Sequence, residues 1–198
     1  MTKDLKGRRI AILVTDGFEQ VELTSPREAL EKAGAKCMIV APKGGKVQGF
    51  DHHDKAGKFD VDAELSNANA SQFDAVLLPG GVINGDALRI EAKAQQFVRE
   101  MDQAGKPVMV ICHGPWVMVS AGIVKGRSLT SWPTLQDDIR NAGGEWHDRE
   151  VLRDRNWVSS RKPDDLPAFN KAIVELVSEV QPAKAMQPEH RDELEVRP

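Results

Sequence analysis

Residues Lys106–Gly122 read KPVMVICHGPWVMVSAG. An apolar run from Val108 to Ile111 stops at Cys112-His113-Gly114-Pro115, and a second apolar stretch begins directly after it. A short continuous apolar run bounded by turn residues has the pattern of a strand buried on both faces. The segment therefore reads as strand, sharp turn, helix, with a cysteine and a histidine at the turn itself.

The same rhythm runs outward in both directions. Arg9–Val14 (RIAILV) is a second apolar run, broken by Thr15-Asp16-Gly17. Val21, Leu23, Ala29, Leu30 and Ala33 follow at near-helical spacing until Gly34, a C-terminal cap signal. Cys37–Ala41 is the next strand, and Pro42–Gly45 turns the chain. The polar stretch from Val47 to Asp62 reads as an antiparallel hairpin built from KVQGF and KFDVD. FDAVLLPGG is then a strand ending in a glycine turn, and RIEAKAQQFVREMDQAG is a helix. Beyond the central segment the sequence predicts a helix over Thr134–Ala142 and short strands around Trp146, Val151 and Trp157–Ser160. A last helix over Asp165–Val180 carries Leu166, Phe169, Ile173, Leu176 and Val177 on one face. Strands alternating with helices imply an α/β domain with a mostly parallel, doubly wound sheet and helices on both faces. That domain is expected over residues 1–181, with a polar, proline-bearing tail over 182–198.

The 198 residues are 40% hydrophobic and 29% charged, as in an ordinary globular domain. A formal charge of −3 gives no field for nucleic acid or an anionic membrane surface. MTKDLKGRR and the short run after it fit neither an export signal nor a membrane span. Two cysteines without a spacing pattern suit free thiols in a reducing compartment, so a cytoplasmic location is expected. Asp51-His52-His53-Asp54 has the residue types of metal ligands, but adjacent histidines point in different directions. No metal and no cofactor is expected.

Ligands of parallel sheets bind beyond the carboxyl ends of the strands. Asp16–Glu19, Gly80–Asp86 and Cys112–Gly114 all fall there. A cysteine at a strand-to-helix turn lies at the positive end of a helix, which favours its thiolate. Gly114 lets the backbone turn tightly, and an N–H just after the nucleophile can hold a developing oxyanion. The Gly80-Gly81 amides on the neighbouring strand end would complete that hole. His113 can serve as the base if the turn swings both side chains together. Cys37, mid-strand among apolar residues, reads as a buried inert thiol. Trp116 reads as pocket wall or interface, and Trp132, Trp146 and Trp157 as packing residues.

AILVTDGFEQVEL, FDAVLLPGG, VMVICHGPW, LTSWPTLQDDIRNAGGEW and WVSSRKPDDLPAFN together resemble the PfpI family of the ThiJ/PfpI superfamily, over about residues 8–178. The resemblance implies a flavodoxin-like fold with a nucleophile elbow, Cys112 as nucleophile and His113 as its partner. It also implies a buried glutamic acid at Glu19 that hydrogen-bonds the sulfur; from the residues alone, Glu19 simply begins the first helix. In protease-like members an acid from a neighbouring subunit completes the triad, and the matching position is Asp86. The family's proline before that acid is Gly85 here. The implied protein is a homo-oligomer, dimer or hexamer, with its site near a subunit interface. Its implied substrates are small peptides or aldehyde adducts, in a stress-associated role. A non-catalytic oxidation sensor or holdase built on Cys112 is the alternative, while a glutamine amidotransferase would need a histidine further downstream.

Overall fold

The computed structural model describes residues 4–180; the expected tail over 182–198 lies outside the described residues. In chain order the first half contains β1 (Arg9–Leu13), β2 (Phe18–Glu19), α1 (Gln20–Lys32), β3 (Lys36–Ala41), β4 (Lys46–Asp51), β5 (Asp54–Asp60), β6 (Ala63–Glu64) and β7 (Ala75–Leu78). Then come α2 (Val82–Arg89), α3 (Ala92–Gln103), β8 (Val108–Ile111), α4 (Pro115–Ser120), β9 (Ser128–Leu129) and α5 (Gln136–Asn141). The chain continues through β10 (Glu145–Trp146), β11 (Val151–Asp154), β12 (Trp157–Ser160) and α6 (Leu166–Glu179).

The main sheet runs β11-β12-β8-β7-β1-β3-β6, parallel throughout except for β11. The five central strands follow the flavodoxin-like order, with the chain reversing its winding direction between β1 and β7. Alternate residues of each strand face opposite layers. Ile10, Ile12, Leu77, Met109 and Ile111 pack with Leu23, Leu30, Phe169 and Ile173 of α1 and α6. Ala11, Leu13, Val76, Leu78, Val108 and Val110 pack with Phe97, Met101, Met118 and Ile139 on the other face. Strands covered on both sides need apolar residues at every position, which explains their unbroken runs. The apolar face expected on the last helix is buried at all five positions.

Two features differ from the sequence reading. The hairpin β4–β5 turns at His52-His53, earlier than KFDVD suggests, and it adds to β2 as a separate three-stranded sheet. Gly80–Asp86, which the sequence places only as a glycine turn beyond a strand end, enters a two-turn helix at Val82, so Asp86 and Gly85 are helical residues of α2.

Candidate active site

Cys112 joins β8 to α4 with φ 59°, a left-handed conformation rare for a residue with a side chain. Three backbone hydrogen bonds hold it there. Its N–H donates to Ser160 O at 3.1 Å, its carbonyl accepts from Trp132 N–H at 3.0 Å, and Gly114 N–H closes the turn on Ile111 O at 2.9 Å. β8 lies between β7 and β12, so the turn is fixed by both neighbours. Strain of this kind persists where the surrounding structure over-determines it.

The turn swings the two side chains together. Cys112 Sγ lies 3.1 Å from His113 Nδ1, and both residues are 7% exposed. The imidazole sits between two indoles: Trp116 with centroids 5.2 Å apart, and Trp132 stacked at 6.0 Å. Trp116 Nε1 donates to Asp138 Oδ2 at 2.8 Å, and the Arg89 guanidinium lies over its ring. Trp132, 37% exposed, stands at the mouth of the site rather than in the core. Trp157 is buried, as expected of a packing residue. Burial pushes the His113 pKa down to about 4, so the ring is neutral across the physiological range.

The acid beside the sulfur is Glu22, not Glu19. Glu22 is fully buried; Oε2 accepts the Gly80 N–H at 2.7 Å, and the carboxyl interacts with the Cys112 thiol. Oε1 is buried without a standard hydrogen-bond partner. Glu19 is the N-cap residue of α1, and its carboxylate turns away to accept the His52 N–H at 3.1 Å. Helical phase explains the correction. Glu22, Leu23, Pro26 and Leu30 share the buried face of α1, while Val21 is exposed. Reading the stripe from Leu23 and Leu30 backwards places Glu22 inside, and this is the signal the sequence reading missed.

Burial raises the Glu22 pKa to about 8, against the Gly80 N–H and the thiol, which favour its ionised form. At neutral pH the carboxyl therefore holds its proton. Burial also pushes the Cys112 thiol above its ordinary value, and negative charge on Glu22 adds to this, while the Gly81 and His113 N–H groups donate to the sulfur and oppose it. The helix-end argument alone, which favoured a depressed thiol pKa, omits this desolvation. Cys37, the other free cysteine, is pushed up to about 12 by burial with no such donors.

The glycine turn after β7 faces the cysteine. A Cβ on Gly80 would lie 2.6 Å from both Cys112 Cβ and Glu22 Oε2, so the close approach requires glycine. Asp86 is exposed on α2, and its carboxylate hydrogen-bonds none of the described residues. No carboxylate among the described residues reaches His113. Away from the site, Glu19, Asp51 and His52 place ligand-type atoms within 4.8 Å of one another. His52 Nδ1 faces Glu19 at 4.0 Å and Nε2 faces Asp51 at 3.9 Å, so its two nitrogens address different carboxylates.

A thiol on a strained strand-to-helix turn, with an imidazole at 3.1 Å and a protonated acid alongside, sits on a domain that matches the DJ-1/PfpI family model over residues 8–176. The chain belongs to the DJ-1/PfpI family. It is 41% identical over 174 residues to protein/nucleic acid deglycase 2 of Escherichia coli, covering 86% of this chain and 98% of that one. It is 39% identical over 170 residues to YraA of Bacillus subtilis, provisionally named a cysteine protease, with the same two coverages. Among solved structures, a ThiJ/PfpI domain protein from Brachyspira murdochii shares the fold with a TM-score of 0.81 at 21% identity, over 89% of this chain and 99% of that one. No helix among the described residues is long and apolar enough to cross a membrane.

Proposed function

We propose that this DJ-1/PfpI protein is a cysteine-dependent hydrolase acting in the cytoplasm on small carbonyl substrates, either aldehyde-derived adducts or short peptides. The observation that carries the reading is the 3.1 Å separation of Cys112 Sγ and His113 Nδ1. An oxidation sensor needs an accessible thiol and an acid; a hydrolase also needs a base within hydrogen-bond reach.

The first step follows from the geometry. Cys112 Sγ attacks the carbonyl carbon as the thiol proton passes to His113 Nδ1. A C–S bond forms, and the carbonyl π pair moves to oxygen, which accepts from the Gly81 and His113 N–H groups. For an amide the intermediate collapses by expelling the amine, which takes the proton back from His113, and water then cleaves the thioester. Glu22, protonated, donates to the sulfur and keeps the pocket from holding two negative charges.

His113 carries no orienting carboxylate from its own chain among the described residues. The reading is completed by assembly, in which Asp86 of a second copy orients the imidazole. Val82, Ile83 and Ile90, exposed at 55%, 56% and 79% on or beside α2, give that helix an apolar rim suited to burial against such a copy.

The test is a panel of short peptides and methylglyoxal adducts of lysine, arginine and cysteine, assayed with wild type, Cys112→Ser and Asp86→Ala, with mass in solution measured by light scattering. Turnover abolished in Cys112→Ser, and reduced about 10²-fold in Asp86→Ala of an oligomeric protein, is expected. No turnover of any class by wild type overturns the hydrolase. A monomer with full activity after Asp86→Ala overturns the cross-subunit acid.

A further inference from the structure

The Gly80-Gly81 turn is the most freely rotating backbone in the site, because glycine has no side chain to bias its peptide planes. Yet the proposed oxyanion donor, the Gly81 N–H, belongs to one of those planes. Something else must hold it. Asn84, two residues into α2, is fully buried, and its amide makes three hydrogen bonds. Oδ1 accepts the Thr15 N–H beyond the end of β1 at 2.8 Å. Nδ2 donates to Pro79 O and to Gly80 O, each at 3.0 Å.

Those two carbonyls head the two peptide units of the turn. A trans peptide carries its carbonyl and its N–H on opposite sides of one rigid plane. The Pro79–Gly80 unit is gripped by Asn84 at its oxygen and by Glu22 at its N–H. The Gly80–Gly81 unit is gripped by Asn84 at its oxygen, which also accepts the Glu19 N–H at a longer 3.4 Å, and its N–H donates to Cys112. One side chain thus fixes both planes from behind while their N–H groups face the acid and the sulfur.

We propose that Asn84 is a positioning residue that aims the Gly81 N–H at the Cys112 sulfur and at the oxyanion formed there. Donation to a carbonyl also polarises its peptide, which strengthens the N–H as a donor. The sequence alone hides this, since VINGD reads as a polar loop. The kinetic part of the idea rests on the hydrolase reading; the thiol part does not.

The test is Asn84→Asp, which keeps an acceptor for Thr15 but presents oxygen to both carbonyls, alongside the smaller, uncharged Asn84→Ser, which retains one donor. Circular dichroism and thermal unfolding select the folded variants. Iodoacetamide alkylation of Cys112 across pH needs no substrate, and it is expected to slow about tenfold at pH 7.5 in Asn84→Asp, with its pH midpoint moved upward. Asn84→Ser is expected to fall between it and wild type. On whichever substrate turns over, kcat should drop about 10²-fold with KM changed less than about threefold. A folded Asn84→Asp with the wild-type alkylation profile overturns the proposal, as does a kinetic loss confined to KM. If Asn84→Asp does not fold, the alkylation profile of Asn84→Ser decides in the same way. Should wild type turn over nothing, the hydrolase reading fails separately and the alkylation result still stands or falls alone.

Discussion

His113 Nδ1 lies 3.1 Å from Sγ of Cys112, its immediate neighbour in the chain, because the positive φ of Cys112 folds one side chain back beside the other. Burial holds that imidazole at a pKa of about 4. The acid limb of kcat/KM should therefore fall near pH 4, where His113 takes up a proton and can no longer accept one. The alkaline limb should fall near pH 8, where Glu22 ionises and its charge opposes a thiolate on Cys112. A profile from pH 3.5 to 9.5 checks both, and an acid limb at 6.5 would mean that the imidazole is solvated rather than buried.

Glu22→Gln replaces the protonated acid by a neutral group of the same shape. In the unfolded chain Glu22 ionises near 4.5, and in the folded protein near 8. Between those values the folded state holds a proton that the unfolded state has released, so the wild type loses stability as pH rises through this window and no further above it. The variant has no such loss. Its melting temperature relative to wild type should climb from pH 5 to pH 8 and then level off. The Cys112 thiol titrates above its ordinary value, where Glu22 is ionised and its charge opposes the thiolate, so the neutral amide should move Cys112 alkylation to lower pH. Glu19→Gln, whose carboxylate faces His52, should leave the alkylation profile within about twofold of wild type.

Cys112 and Cys37 are equally covered but differ in donors. In the folded protein, brief iodoacetamide or peroxide treatment followed by peptide mass mapping should find Cys112 modified and Cys37 intact, because Cys112 has the His113 Nδ1 at 3.1 Å to take its proton while Cys37 has no such base beside it among the described residues. Equal labelling would show that the turn confers no reactivity.

Arg127 braces the far end of β12. Its Nε bonds Asp154 Oδ2 at 2.7 Å, its Nη1 bonds Asp102 Oδ1 at 3.2 Å, and its guanidinium lies 3.6 Å from the centre of the Trp157 ring. Arg127→Ala removes the buried cation from two mostly buried carboxylates, leaving Asp154 only the exposed Arg155 at 3.8 Å, and should cost about 3 kcal/mol or more in urea unfolding. The exposed pair Arg153–Glu179 is the control: Arg153→Ala should cost less than about 1 kcal/mol.

What the sequence disclosed was governed by hydrophobic pattern. The runs of β1, β7 and β8 and the five-residue face of α6 declare themselves because each buries apolar groups at a fixed period. The strand-to-helix turn at Cys112 follows from them. Glu22 and Asn84 did not declare themselves, because a buried polar residue is identified by its partners, and these come from segments 58 and 69 positions away. α2 gives no helix signal for a related reason. VINGDALR contains asparagine and glycine, both poor helix formers, and Gly85 is there because a Cβ would lie 2.9 Å from His113 O. Packing against α4 overrides propensity. Trp132 reads from the sequence as a packing residue, yet the short segment after β9 carries it to the rim.

The Cys112 N–H has its partner in Ser160, and β8 is covered on that side by β12. During synthesis the thiol therefore leaves the ribosome well before the strand that fixes its turn. A nascent chain ending between Trp132 and Trp157 carries the site's residues but lacks β12, and with it the Ser160 carbonyl that is one of the three backbone hydrogen-bond partners of the turn.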